Sequence, residues 1–402
     1  MSGESILDTI ISQQQGDSVA RLDVVDAMTR LLGHLNEREI DIIKRRFGLK
    51  EAKKATLDEI GQSHNLTRER IRQIETGSIN KVKKAETLNE ILSDIRKVVS
   101  ALIKDHGGIM DREYLFDMLW ALDARSGEKA DKDLYHNHFD FILSKLLGEE
   151  FKEVKDSKHF NPFFKHHYEE IVHLEDLASE LVESIKSTKS LLLTHEMIEH
   201  AKNLQSFKSN SDKLDKNDFA VDIKDVLSDI LPEHDHASAK DSRVLFSLVK
   251  ALSEIDQNTF GHWGHAKSSE VRPKTVNDKI YLVLKQHGKP MHYEDIGKAI
   301  NSAGFDKKTV NTATVHNELI LDDNYVLVGR GLYALREWGY NKGTVADVIA
   351  DILKKNAGPM PKKNIIEEVL KQRMVKKTTI DLALMNKKRF TRLPGANYTL
   401  TT

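Results

Sequence analysis

Apolar residues recur at helical spacing through most of this chain, broken by short polar or glycine-containing stretches. Two short amphipathic stretches come first, around Ile6 to Ile11 and Val19 to Leu32. Helix signals then become dense. Asn36 with Glu39 makes a capping box, with Leu35 and Ile40 as the hydrophobic staple beside it, so a helix starts at Glu37. Ile40, Ile43 and Phe47 form its apolar stripe, and Gly48 stands where a helix stops, because it enters the left-handed conformation cheaply. Thr56 with Glu59 is a second capping box, opening a short helix that turns Leu57 and Ile60 inward. A tight connection through His64, Asn65 and Leu66 leads to Thr67, which caps a third helix with Ile71, Ile74, Ser78 and Val82 as its buried stripe. Short helix, tight turn and polar-faced helix together predict a helix-turn-helix.

Beyond Lys84 four stretches repeat one layout: an amphipathic helix, a short break, a second helix, and later a third helix with a β-like pair. The first helices and breaks are IRKVVSALIKDHGGIM, LASELVESIKSTKSLLL, VNDKIYLVLKQHGKPM and VADVIADILKKNAGPM. The short helices that follow are DREYLFDML, THEMIEHA, HYEDIGKAI and PKKNIIEEVL. Alternating apolar residues around turns predict hairpins in FKEVKDSKHFNPFF, YVLVGRGLYALREW and FTRLPGANYTL. The expected fold is mainly α, a helix-turn-helix followed by tandem winged-helix modules with short β-hairpin wings. The expected boundaries are 1–33 for N-terminal amphipathic helices, 34–90 for the helix-turn-helix, then winged-helix-like modules at 91–168, 171–271 (divergent and acidic), 272–341 and 342–402 (basic).

A length of 402 residues agrees with several small domains. There is no Cys, which excludes disulfides, Cys-ligated zinc, iron–sulfur clusters and thiol catalysis, and favours a cytoplasmic home. No stretch approaches the roughly 18 apolar residues of a membrane span, and MSGESILDTI has no basic region followed by an apolar run, so no membrane partner is expected. The formal net charge of −1 conceals segments of opposite sign: +5 over His34 to Lys84, −13 over Ala85 to Val271 and +8 over Lys342 to Thr402. The acidic middle repels phosphates and reads as solvated helix faces, whereas both basic blocks suit duplex DNA as partner.

On the third helix Arg68, Glu69, Arg72, Gln73 and Thr76 lie opposite the buried stripe and near the N-terminus, where a recognition helix presents side chains to base edges. Arg pairs bidentately with guanine and Gln with adenine, and Glu accepts from cytosine. Lys81, Lys83 and Lys84 at the far end are placed to meet phosphates.

The strings LNEREIDIIKRRFGL, TLDEIG and LTRERIRQIE resemble region 4 of the primary bacterial sigma factors, without a gap over about fifty residues. That resemblance implies a domain that reads the promoter −35 element and contacts the polymerase flap. It implies base contacts for Arg68, Glu69, Arg72 and Gln73, and places Arg38, Arg46 and Thr67 near the phosphate backbone. Upstream of Leu35 no aromatic-rich, core-binding and promoter-melting region is legible, so initiation by this chain alone is not expected. Val276 to Tyr340, with GKPMHYEDIGKAI and VGRGLYALREWGY, is similar to the HARE-type winged helix of the RNA polymerase delta subunit and of chromatin and restriction proteins. Gly329, Arg330 and Gly331 are expected to form its wing, Trp338 to close the base, and Tyr333 and Leu335 to pack inside. Arg330 is the candidate there for phosphate or minor-groove contact. The chain lacks delta's long acidic tail, so a nucleic-acid-displacing role finds no support.

The final module carries Lys362, Lys363, Lys376, Lys377, Lys387, Lys388 and Arg389 on a small body; Lys362, Lys363, Lys387, Lys388 and Arg389 are candidates for sequence-independent DNA contact. HEMIEH, from His195 to His200, has its histidines five apart, pointing about 140° away from each other, and cannot share a metal. The clusters His234 with His236, and His262, Trp263 and His265, read as surface or packed residues. No metal, cofactor, small-molecule substrate or catalytic arrangement is expected. The sequence therefore reads as a bacterial, nucleoid-associated transcription regulator whose head binds a −35-type element, the winged helices adding DNA or polymerase contacts. The alternatives are an RNA polymerase accessory or sigma-mimic subunit docking on the flap without reading DNA, and a DNA-bridging or defence-system recognition protein.

Overall fold

The computed structural model describes residues 19, 22–123, 131–188, 191–340, 342–356 and 358–401; the amphipathic stretch Ile6 to Ile11 lies outside them. The chain divides into two units, residues 1–257 with 261–266, and residues 258–260 with 267–402.

The first unit begins with α1 (Val24–Leu32), α2 (Glu37–Phe47), α3 (Leu57–His64) and α4 (Arg68–Lys83). Both expected capping boxes form: Asn36 and Thr56 each accept from the backbone N–H three residues on, while Glu39 and Glu59 accept from the cap's own N–H. Thr67 caps α4, and Gly48 ends α2 in the left-handed conformation (φ 66°). Ile42, Ile60 and Ile71 make a small core between α2, α3 and α4, with Leu57, Leu66 and Ile74 around it. Asp41 adds a polar tie, accepting from Arg45 (3.0 Å) and bonded to His64 (2.8 Å) at the end of α3. Although burial opposes ionisation of Asp41, these hydrogen bonds hold its carboxyl below its ordinary pKa.

The Ile40, Ile43 and Phe47 stripe of α2 does not line that small core. Ile43 is buried in the larger core of the first unit, and Ile40 and Phe47 pack against it. What they meet is the first winged-helix module: α5 (Ser93–Asp105), β1 (Ile109–Asp111), α6 (Arg112–Asp123), α7 (Lys132–Phe141), a π-helical turn at Ile142–Leu146, β2 (Phe151–Val154) and β3 (Phe163–His166). The Phe47 and Phe141 rings meet edge to face at 4.8 Å. The Asn137 amide donates to the carbonyls of Gly48 (3.1 Å) and Ala52 (2.8 Å), and Lys54 pairs with Asp140 at 3.0 Å. A Cβ on Gly48 would fall 2.8 Å from the Asn137 amide nitrogen, so glycine is required there for contact as well as for backbone conformation. Asn137→Ala is expected to lower the stability of this unit by about 1 to 3 kcal/mol, because two carbonyls lose their donor; a denaturation midpoint equal to wild type would contradict the clasp.

The second module follows as α8 (Val172–Ser187), β4 (Leu192–Leu193), α9 (Thr194–Asn203), a connection with short helical turns, α10 (Glu233–Asp241), α11 (Arg243–Ala251), β5 (Ile255–Gln257) and β6 (His262–His265). Helix α11 is buried almost throughout, because it lies against the first module as well as its own. Its Ser247 hydroxyl donates to the Ile109 carbonyl at 3.0 Å. Its Arg243 reaches Asp105 at 3.1 Å, where the carboxylate also accepts the Ala220 and Val221 N–H groups. Buried Trp263 donates its indole N–H to Thr194 (2.8 Å), a packing role.

The second unit holds α12 (Val276–His287), β7 (Met291–His292), α13 (Tyr293–Ala303), α14 (Thr312–Leu321), β8 (Tyr325–Gly329) and β9 (Leu332–Leu335). It ends with α15 (Val345–Asn356), β10 (Met360–Pro361), α16 (Lys362–Gln372), α17 (Lys377–Leu384), β11 (Phe390–Leu393) and β12 (Asn397–Leu400). Tyr333 and Leu335 are buried, and Trp338 packs against them. The last module is fastened by Arg373, whose guanidinium donates to the carbonyls of Leu327 (2.7 Å) and Gly343 (2.8 Å), and by the Met374 N–H donating to Val328 (2.9 Å).

Among the described residues all four sheets are three-stranded and antiparallel with one order: first strand, third strand, second strand. The shared topology explains the repeated helix-break-helix layout, since the residues after each first helix form a short strand that pairs with the last strand of the hairpin. The fold is mainly α, with a helix-turn-helix and winged-helix modules.

Candidate nucleic-acid interface

Helix α4 is the second helix of the helix-turn-helix, held by Ile71 in the small core and by Val82 in the larger one, with Ser78 also buried. Arg68, Glu69, Arg72, Gln73 and Thr76 are all exposed on its other side. Three of them, Glu69, Arg72 and Gln73, are also wired to one another. Arg72 donates two bonds to Glu69 (2.8 and 2.7 Å), Gln73 approaches the same carboxylate at 3.5 Å, and Arg70 donates to the Gln73 side chain at 3.2 Å. The paired donors from Arg72 hold the Glu69 carboxyl below its ordinary pKa, so Glu69 stays an acceptor throughout the neutral range. Arg68 lies 3.7 Å from Asp58 on α3. Arg70 is a member of this set that the sequence reading does not include; its i, i+3 spacing to Gln73 is the signal available.

The residues expected at phosphates fall into two groups. Arg38, Thr67, Lys83 and Lys84 are exposed without an ion pair among the described residues. Lys81 pairs with Glu39 of α2, and half-buried Arg46 bridges within the head to the Ala55 carbonyl (3.2 Å) and Glu75 (3.4 Å). Spacing on one helix could not reveal those partners, which come from other elements.

Across the winged modules the helix that precedes the hairpin differs in availability. In the first module α7 is clasped to the head, and in the second α11 is buried, so neither presents a free reading face. In the third, α14 carries no Lys or Arg. In the last this helix, α17, is flanked by exposed Lys376, Lys377, Lys387 and Lys388. Two expected contacts there are already paired, Lys362 with Asp381 (3.0 Å) and Arg389 with Asp347 (2.7 Å), whereas Lys363 is exposed. Arg330 is exposed at the turn between β8 and β9, where Gly331 (φ 71°) leaves room for His292.

Among the described residues no group of three or more His, Asp or Glu could hold a metal, and no helix is long and apolar enough to cross a membrane. His200 of HEMIEH bonds Ser184 (2.7 Å), and His236 bonds the Leu231 carbonyl (2.9 Å).

Fold and site define a helix-turn-helix protein with tandem winged helices. Residues 31–84 match the family model of sigma-70 region 4, and residues 274–338 match that of the HARE helix-turn-helix domain, a family described by its ASXL and restriction endonuclease members; both are DNA-binding families. The chain is 41% identical over 83 residues to the RNA polymerase principal sigma factor HrdD of Streptomyces viridifaciens, covering 20% of this chain and 24% of that one. It is 40% identical over 67 residues to the RNA polymerase sigma factor SigA of a Nostoc species, covering 17% of each. Against the RNA polymerase sigma factor RpoD of Helicobacter pylori the identity is 44% over 68 residues, 17% of this chain and 10% of the relative. The chain thus spans about a quarter or less of the sigma factors it matches.

Proposed function

We propose that this protein is a sequence-specific DNA-binding transcription regulator whose sigma-like head reads a promoter −35-type element, working alongside RNA polymerase. The observation that carries the proposal is the exposed set Arg68, Glu69, Arg72 and Gln73 at the start of α4, the last three joined by side-chain hydrogen bonds, within the segment that matches sigma-70 region 4. A bidentate hold on Arg72 orients its guanidinium before DNA arrives, which lowers the ordering cost of base readout. Arg38, Thr67, Lys83 and Lys84 set the head on the backbone, with Lys81 exchanging its Glu39 partner for phosphate. The C-terminal module supplies sequence-independent affinity through Lys363, Lys387 and Lys388, with Lys362 and Arg389 as weaker contributors because of their acidic partners. Arg330 adds one contact from the third module's wing.

Fluorescence anisotropy on a duplex with a −35-like hexamer and on its scrambled partner, across a salt series, tests this reading. A preference that persists as salt rises supports it. Equal binding to both duplexes, or none, would sink base reading and turn the test to the polymerase flap as the head's partner. Replacing both Lys387 and Lys388 with Ala is expected to reduce the slope of log affinity against log salt by roughly 2 on either duplex; an unchanged slope would remove the C-terminal module from the interface.

A further inference from the structure

Among the described residues, seven of the ten exposed large hydrophobic side chains belong to the second unit. Two pairs of them lie at matching places in its two modules, on or just after the helix that precedes the hairpin. Ile320 (56% exposed) and Leu321 (80%) end α14, and Leu382 (67%) and Met385 (70%) lie three residues apart at the end of α17. The surroundings have opposite charge. The α14 pair sits with Glu318 and Asp322, neither of which has a cation within ion-pair reach among the described residues, while the next residue, Asp323, is paired with Arg336 and Lys342. The α17 pair sits among Lys376, Lys377, Lys387 and Lys388, none of them in an ion pair among the described residues.

We infer that, when no DNA occupies its lysines, the aliphatic, basic end of α17 docks on the aliphatic, acidic end of α14 from a second copy of this chain. Exposed aliphatic pairs within oppositely charged rims provide the two terms a specific contact needs, apolar burial at the centre and electrostatic complementarity at the edge. The first unit shows the same use of this element: α7 receives the head through an aromatic pair, an amide clasp and the Lys54 to Asp140 ion pair. Phosphate is a poor occupant for the α14 surface, because that helix carries Glu318 and no Lys or Arg. The contact joins two different patches, so a pair held by one contact still has a free α17 end on one copy and a free α14 end on the other, and growth beyond the dimer follows unless the ring closes.

Sedimentation velocity of the full chain, stripped of nucleic acid and returned to low salt, tests the inference from low-micromolar to near-millimolar concentration. Wild-type protein is expected to rise above monomer mass with concentration. Leu321→Asp, which spoils the acceptor, and Met385→Asp, which spoils the donor, are each expected to stay monomeric; both sites are exposed, and unchanged melting temperatures verify folding. An equimolar mixture of the two variants is expected to recover association but to stop at the dimer, since only one of its possible contacts is intact. Monomeric wild type, association persisting in either variant, or a mixture that remains monomeric would each overturn the inference.

Discussion

Gln73→Ala is expected to weaken binding to a −35-type duplex by about 1 to 3 kcal/mol, roughly 5- to 150-fold, while leaving binding to a scrambled duplex nearly unchanged. Gln73 is an exposed residue whose amide is positioned by Arg70 on one side and Glu69 on the other, so the loss is of base contact and not of fold. Arg68→Ala is expected to behave alike, with a small offset because its guanidinium pairs with Asp58 at 3.7 Å before DNA binds. Glu69→Ala discriminates further. It removes the acceptor that orients Arg72, and is expected to reduce the ratio of specific to random binding while raising affinity for both duplexes through lost charge repulsion. Anisotropy titrations at matched salt check all three; equal losses on the two duplexes would refute a reading role for this face.

Asp123→Asn is expected to stabilise the first unit at pH 8 and to lose that advantage toward pH 4. Asp123 ends α6 and accepts the Val24 N–H at the start of α1 (2.9 Å). Burial pushes its carboxyl up to about 7, against an ordinary 3.8, and nearby Asp23 adds to the rise while the Val24 hydrogen bond opposes it. A folded-state pKa above the unfolded value means the folded chain holds an extra proton between those limits. The wild type therefore loses this stabilisation as pH rises through about 7, and the asparagine variant does not. The difference is at most about 4 kcal/mol above pH 7. His106 and His138 act in the opposite sense: burial lowers them to about 3 and about 4. They stay neutral in the fold, and their contribution is full above the ordinary 6.5 and falls as pH drops below it. In the variant the acid side should therefore be steeper than in wild type. Urea denaturation at several pH values measures this, and parallel pH profiles would rule it out.

The helix-turn-helix is legible in the sequence because its signals are local. The capping boxes at Asn36 and Thr56, the Thr67 cap, the left-handed Gly48 and the polar face of α4 are set by residues within one turn of one another, where propensity and hydrogen bonding act without help from distant chain. The hairpins at 151–166, 325–335 and 390–400 are legible for the same reason, through alternation and turn chemistry. The second module's hairpin is not, because its strands IDQ and HWGH lack clear alternation and its sheet is built around Trp263.

What tertiary structure decided is which surfaces remain open. Sequence places Ile43 and Phe47 on an apolar stripe, but only assembly sets that stripe against Phe141 of a module nearly a hundred residues away, leaving Ile42 to serve the small core. It marks Arg46, Lys362 and Arg389 as basic, but only assembly brings Glu75, Asp381 and Asp347 beside them. Four repeated modules read alike along the chain, yet α7 and α11 are covered while α14 and α17 are exposed, because burial depends on contacts between distant segments that no local pattern encodes.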